Sequence, residues 1–186
     1  MNNMAFFVNM PRTIVLLLLL VLSPPLFTHP AKKFVLADYK LIKTLCHEAE
    51  TPKTCLSCVR SSKGSLQADG VGIAIIIVNC MMDKANALKL NITNLASTSH
   101  GNQKSICERC IEDFKIAEKE LVLAKNALHE HKYGEAGSYV DKALSFGVTC
   151  RTDLKSYHDK VPSDVFRDMK IFVELYKAAF AIILKI

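Results

Sequence analysis

The sequence predicts an all-α protein: an antiparallel up-down four-helix bundle preceded by an N-terminal helical hairpin and stabilised by disulfides. Three observations lead there. Apolar residues recur at steps of three and four along four consecutive segments. The chain has no Trp and only seven Gly and six Pro in 186 residues, which disfavours an all-β fold. Seven cysteines lie downstream of an apolar leader, and a secretory route makes cross-linking their expected use.

The leader is read first because it decides the redox compartment. Residues 14–22 (IVLLLLLVL) form an unbroken apolar run, preceded by Arg12 and followed by Ser23-Pro24-Pro25. A basic start, an apolar stretch of about 7–15 residues and a break describe a secretory signal peptide. A membrane-spanning helix needs about 20 apolar residues, and Asn9, Pro11, Arg12 and Thr13 interrupt this run upstream. We assign residues 1–28 to the signal peptide, with cleavage between Ser23 and Ala31, and expect no membrane association after cleavage. The remaining chain of about 155–160 residues suits one domain with a single core.

Residues 34–46 and 52–60 read as two short helices joined at Glu50-Thr51-Pro52, a hairpin (34–60) separate from the bundle and linked to it by residues 61–65. The bundle occupies 66–186. Its first stripe runs Val71, Ala74, Val78, Met81, Ala85, Leu88, Ile92, Leu95, and its second Cys107, Cys110, Phe114, Ala117, Leu121, Ala124, Leu128. The third is Ala136, Val140, Ala143, Gly147, Cys150, Leu154, after a turn near residues 132–134. The fourth is Val165, Met169, Phe172, Tyr176, Ala179, Ile183, with Ser163 as N-cap after Pro162. Four helices with one apolar face each bury those faces best against one another. Ala85, Ala117, Ala124, Ala143 and Gly147 permit close approach.

Cys46 and Cys55 flank the hairpin turn, so a bond between them would clamp two helices too short to persist alone. Cys110 and Cys150 fall on core stripes of adjacent antiparallel helices, where residues equidistant from the intervening turn lie at similar depth, and Cys110 comes closer to that match than Cys107 by one helical turn. Cys110 is therefore the expected partner. Seven is odd, so at least one thiol is left over. Cys58, Cys80 and Cys107 read as small packing residues. A Cys58–Cys80 bond is a further option, and an outward Cys80 would permit a covalent dimer. A zinc site built from Cys55-x-x-Cys58 and Cys107-x-x-Cys110 is disfavoured, because the span between the pairs far exceeds the usual range of about 15–20 residues.

Charge and motifs exclude more than they assign. Lys and Arg number 24 against 18 Asp and Glu, a net charge of +6 that the loss of Arg12 with the leader lowers only slightly. The excess is spread along the chain without interleaved aromatics, which does not support nucleic-acid binding; retention in an anionic polysaccharide matrix is favoured instead. The histidines (29, 47, 100, 129, 131 and 158) form no HExxH and no nucleophile pairing, and each reads as a surface residue. Glu112/Asp113 and Glu118/Glu120 are placed on solvated helix faces. No G-x-S-x-G or phosphate loop is present, so no enzyme activity, cofactor or metal is expected. Asn91-Ile92-Thr93 is an N-glycosylation sequon, with Asn91 at the surface.

The segments IKTLCHEAETPKTC (42–55), CIEDFKIAEKELVLAKNAL (110–128) and HKYGEAGSYVDKALSFGVTC (131–150) together resemble the plant invertase/pectin methylesterase inhibitors. The resemblance covers residues 34–186 as one inhibitor domain and implies a secreted bundle whose four usual cysteines fall on Cys46, Cys55, Cys110 and Cys150. Cys58, Cys80 and Cys107 are extra. It implies a protein that blocks an acid invertase or a pectin methylesterase in the cell wall, or in the vacuole, by stoichiometric association. Invertase inhibitors of the family place a Pro-Lys-Phe triplet after the second bundle helix. The matching positions here are His131, Lys132 and Tyr133, which tilts the expected target slightly toward invertase. With His129 and His131 at such a contact, association would vary with pH in the wall's acidic range. The rival class is a non-inhibitory secreted bundle, either a ligand for another wall protein or a lipid carrier, against which the Ala- and Gly-rich seam argues.

Overall fold

The computed structural model describes residues 39–186, so the leader, His29 and the first residues assigned to the hairpin lie outside it. Among the described residues there are six α-helices, two short 3-10 turns and no strand. Helices α1 (Tyr39–His47) and α2 (Pro52–Ser61) form the hairpin; α3 (Gly70–Thr98), α4 (Gly101–His129), α5 (Tyr133–Leu154) and α6 (Ser163–Ile183) form the bundle.

The helix ends follow from local chemistry. α2 begins with Pro52, whose fixed φ and missing N–H suit a first helical position. Asp69 caps α3, its Oδ1 accepting from the Gly72 N–H at 2.8 Å. Ser163 is the first residue of α6 and Pro162 holds the N-cap position, one residue earlier than expected, while Asp164 supplies negative charge to the first turn. The turn between α4 and α5 also falls earlier, at Glu130, His131 and Lys132, because Tyr133 already starts α5.

Each bundle helix packs against two neighbours, in the cyclic order α3, α4, α5, α6 and back to α3. This is the up-down arrangement that short connections impose. In α4 and α5 every residue of the expected stripe is buried, from Cys107 to Leu128 and from Ala136 to Leu154. α3 differs. Ile73, Ile77 and Ala96 are buried, whereas Val71 and Leu95 are only half-buried. For Ile73 and Ile77 the cause is the hairpin, expected to stand apart: α2 lies against both α3 and α6, so α3 serves three partners and needs a wider apolar face in its first half. By length and composition α3 is apolar enough to cross a membrane, yet its stripe from Ile73 to Ala96 is spent on the core. In α6, Leu175 is buried and Tyr176 half-buried, so the stripe runs one position off the expectation there.

The core is closely packed where α5 meets α6. Phe114 and Phe172 are fully buried and meet edge to face, with centroids 5.9 Å apart. Gly147 lies against them: a Cβ there would stand 2.9 Å from Phe172 Cε1. A glycine is therefore what lets α5 approach the ring.

Candidate partner-binding site

Three disulfides set the frame. Cys46–Cys55 closes the hairpin, with Cα atoms 5.4 Å apart, and Cys110–Cys150 joins α4 to α5 at 4.9 Å. The third, Cys58–Cys80, joins α2 to α3 at 6.2 Å. This corrects the picture of Cys80 as an outward thiol available for a covalent dimer, since its sulfur is already bonded within the chain. Of the two C-x-x-C pairs, Cys55, Cys58 and Cys110 each enter a different disulfide and only Cys107 keeps its thiol, too few thiolates for a zinc site. No cluster of potential metal ligands occurs among the described residues. Cys107 is the free cysteine; it is buried, and burial pushes its thiol pKa up, partly opposed by a hydrogen bond with Ser99.

At the far end of the α4–α5 pair stands the turn that carries His131, Lys132 and Tyr133. The His131 N–H donates to the Leu128 carbonyl at 3.1 Å and the Lys132 N–H to the Ala127 carbonyl at 2.8 Å. These two bonds are the pattern of a Schellman helix end, whose first residue past the cap takes a left-handed conformation, usually as glycine. Here that residue is His131, with φ at 57°. Its ring gives something back locally, because Nδ1 is 2.8 Å from the Tyr133 hydroxyl and the two rings meet edge to face.

His131 and Lys132 are exposed and Tyr133 is half-buried against the core. Lys132 Nζ pairs with Glu130 Oε2 at 2.7 Å. That hydrogen bond holds the lysine pKa above its ordinary value and the Glu130 pKa below its own. The ammonium is thus charged and directed by a neighbour inside the same turn. Tyr133 also lines a groove of about 430 Å³ between the start of α5 and the end of α6, together with Asp141, Phe180 and Leu184. Tyr176 on the same pair of helices donates to Asp141 Oδ1 at 2.5 Å. The contributions of Glu130 and of the α6 end were not anticipated. The first carries no motif, and the second depends on how two helices distant in sequence meet.

Other expected residues lie elsewhere. Asn91 is inside α3, half-exposed beside the buried Ile92, and the Thr93 hydroxyl donates to the Lys89 carbonyl. His47, His100, His129 and His158 are exposed and spread over the molecule. Glu112 pairs with Lys115 at the surface, whereas the Glu118–Lys89 pair is half-buried. Glu120 and Asp113 depart from the solvated faces assigned to them. Glu120 Oε2 is buried without a hydrogen-bond partner among the described residues. Burial and the charge of Asp153 raise the Asp113 pKa, against a lowering by Arg109.

This architecture, a disulfide-clamped hairpin on a closed four-helix bundle, defines a disulfide-bonded helical-bundle domain. Residues 40–182 match the family model described as plant invertase/pectin methylesterase inhibitor. The chain belongs to that family, whose members are enzyme inhibitors and not enzymes. A curated relative, the cell wall / vacuolar inhibitor of fructosidase 2 of Arabidopsis thaliana, is 28% identical over 113 residues, 60% of this chain. The match spans 63% of that relative's length. Two solved structures share the fold. The crystal structure of mutant form A of a pectin methylesterase inhibitor from Arabidopsis has a TM-score of 0.66 at 18% identity, covering 77% of this chain and 95% of that one. That of a pectin methylesterase inhibitor from Arabidopsis thaliana has a TM-score of 0.59 at 20% identity, covering 79% and 96%.

Proposed function

We propose that this protein is a secreted inhibitor that docks on a plant cell-wall or vacuolar acid invertase, or on a pectin methylesterase, and blocks its substrate cleft without chemistry of its own. The observation that carries this reading is the α4–α5 turn. An exposed ammonium and a half-buried phenol are held on the end of a bundle already locked by Cys110–Cys150. A surface ordered before docking loses little conformational entropy on association. Lys132 supplies hydrogen-bond donors for the polar groups that line a sugar-binding cleft, and Tyr133 supplies a ring face for sugar-like stacking surfaces.

Between the two targets the reading leans to invertase, because Lys132-Tyr133 retains the cation and the aromatic of the triplet that invertase inhibitors of the family carry. The curated relative named for fructosidase inhibition points the same way. The lost proline has a physical reason. Proline fixes φ near −65°, and position 131 sits at +57° with its N–H bonded to Leu128. The turn is therefore one that proline cannot occupy, and Lys132 and Tyr133 would make the contact from a different backbone. Asn91, as an N-glycan acceptor, is part of the same secreted reading. Purified protein added to an acid invertase and to a pectin methylesterase, side by side, tests it. Saturable inhibition of invertase at about equimolar ratio is expected; inhibition of pectin methylesterase alone would reverse the lean, and inhibition of neither would refute the proposal.

A further inference from the structure

We propose that the Cys58–Cys80 disulfide is a thiol–disulfide exchange site, the bond most open to a dithiol reductant and the one whose opening loosens the N-terminal hairpin from the bundle. The inference does not rest on the identity of the inhibited enzyme. It starts from the unequal exposure of the three bonds. Cys46 and Cys55 are 0% exposed, and Cys110 and Cys150 are 1% and 0%. Cys58 is 7% exposed and Cys80 is half-buried, packed against the core on one side. Thiol–disulfide exchange requires a thiolate to reach a sulfur, so access separates these bonds before any other factor.

The access is a cleft and not a pinhole. Both residues line an open cavity of about 520 Å³ where α2 faces α3 and α6, bounded also by Lys53, Asp83, Lys84 and Leu175. Positive charge beside a sulfur favours the thiolate form of an incoming or departing cysteine. Lys84 is partly committed, since its Nζ pairs with Asp168 at 3.2 Å, and Asp83 opposes the effect. Lys53 is an exposed cation on the α2 side of the mouth. The cleft thus admits a small dithiol, or the exposed cysteine of a dithiol protein, to one bond of the three.

The step balances as a two-electron exchange. A thiolate of the reductant attacks one sulfur of the pair, the Cys58–Cys80 bond breaks, and the displaced cysteine leaves as thiolate. The reductant's second thiol then attacks the mixed disulfide, closing the reductant's own disulfide and releasing the other cysteine. The dithiol is oxidised, and Cys58 and Cys80 end as thiols carrying its two protons.

The mechanical consequence follows from the cysteines' positions. Cys58–Cys80 is the covalent tie between α2 and α3, whereas Cys46–Cys55 lies within the hairpin and would keep its helices together. What remains is the buried side of the hairpin, with Ile42, Leu45 and Val59, and polar contacts to α6. The Thr51 hydroxyl donates to the Glu174 carbonyl at 2.6 Å, and Lys177 pairs with Glu50 at 2.6 Å. Such an element opens locally more often once the tie is cut.

The test treats the oxidised full-length secreted protein with increasing dithiothreitol under native conditions, traps thiols with an alkylating agent and maps them by mass spectrometry. Cys58 and Cys80 are expected to label at least tenfold faster than Cys46, Cys55, Cys110 and Cys150. The buried thiol of Cys107 serves as an internal marker, labelling only when the bundle itself opens. On the selectively reduced form, hydrogen exchange should accelerate in α1 and α2 and stay unchanged in α4 and α5. The double variant Cys58→Ser/Cys80→Ser should show the same exchange pattern without reductant. Labelling of all six bonded cysteines in one step, or hairpin exchange unchanged in both the reduced protein and the variant, would overturn the proposal.

Discussion

Two glycines on one helix should respond to alanine with opposite signs, and the pair tests the packing of α5 on α6 directly. At Gly147 a new Cβ would meet Phe172 at 2.9 and 3.1 Å and Phe114 at 3.8 Å. Neither ring has room to give, since both are fully buried and hold each other edge to face. Overpacking of this kind costs about 1–3 kcal/mol, against a gain of about 1 kcal/mol for replacing a mid-helix glycine. At Gly137 the nearest atoms are Phe180 Cε2 at 3.6 Å and Ile183 Cγ2 at 3.9 Å, which is ordinary contact. There the helix gain survives and a methyl is buried, together worth about 1–2 kcal/mol. For a domain of this size each kcal/mol moves Tm by about 2–4 °C. Circular-dichroism melts of the oxidised protein should therefore place Gly137→Ala a few degrees above the unmodified protein and Gly147→Ala a few degrees below it. A Gly147→Ala protein that melts at or above the unmodified one would refute the close approach of α5 to the Phe114–Phe172 pair.

The turn offers a second test, because proline at position 131 would demand a φ the chain does not have and would remove an N–H that bonds to Leu128. His131→Pro should cost more than about 1 kcal/mol, while His131→Gly, free of the left-handed penalty, should melt no lower than the unmodified protein; the reverse order would show that the turn is misdescribed. Tyr176 gives a pH test. Burial and its hydrogen bond to Asp141 push the phenol up to about 12. Its folded pKa lies above the unfolded value of about 10, so the neutral phenol stabilises the fold fully below that value and the contribution is lost as pH rises toward 12. Absorbance titration of the five tyrosines should show one late step that Tyr176→Phe abolishes; its absence would refute the assignment.

How far the residues alone lead is uneven, for reasons visible in particular helices. The stripes of α4 and α5 could be read in full because each helix buries one face between two neighbours, and the spacing of Phe114, Ala117, Leu121 and Ala124 encodes that face. In α3 the spacing misleads, since Ile73 and Ile77 are buried as well in a helix with a third partner. That partner is the hairpin, whose landing place is set by tertiary packing and leaves no trace in periodicity. The same gap leaves the Cys58–Cys80 bond one option among several in the sequence, since nothing local says that α2 lies beside α3. The turn expected near residues 132–134 lies two residues too far along, since the chain turns at residues 130–132. The left-handed position is filled by His131, and a Schellman end occupied by a non-glycine residue has no sequence signature.

In the proposed function, the α4–α5 turn of a preformed scaffold is what engages the enzyme. The most direct measurement is the affinity for acid invertase of the double variant Lys132→Ala/Tyr133→Ala, by binding titration, with its melt recorded alongside. Loss of at least tenfold in affinity, equivalent to about 1.4 kcal/mol or more, with Tm within a few degrees of the unmodified protein, is the expected result. Unchanged affinity in a folded variant would place the contact elsewhere on the molecule and contradict the claim.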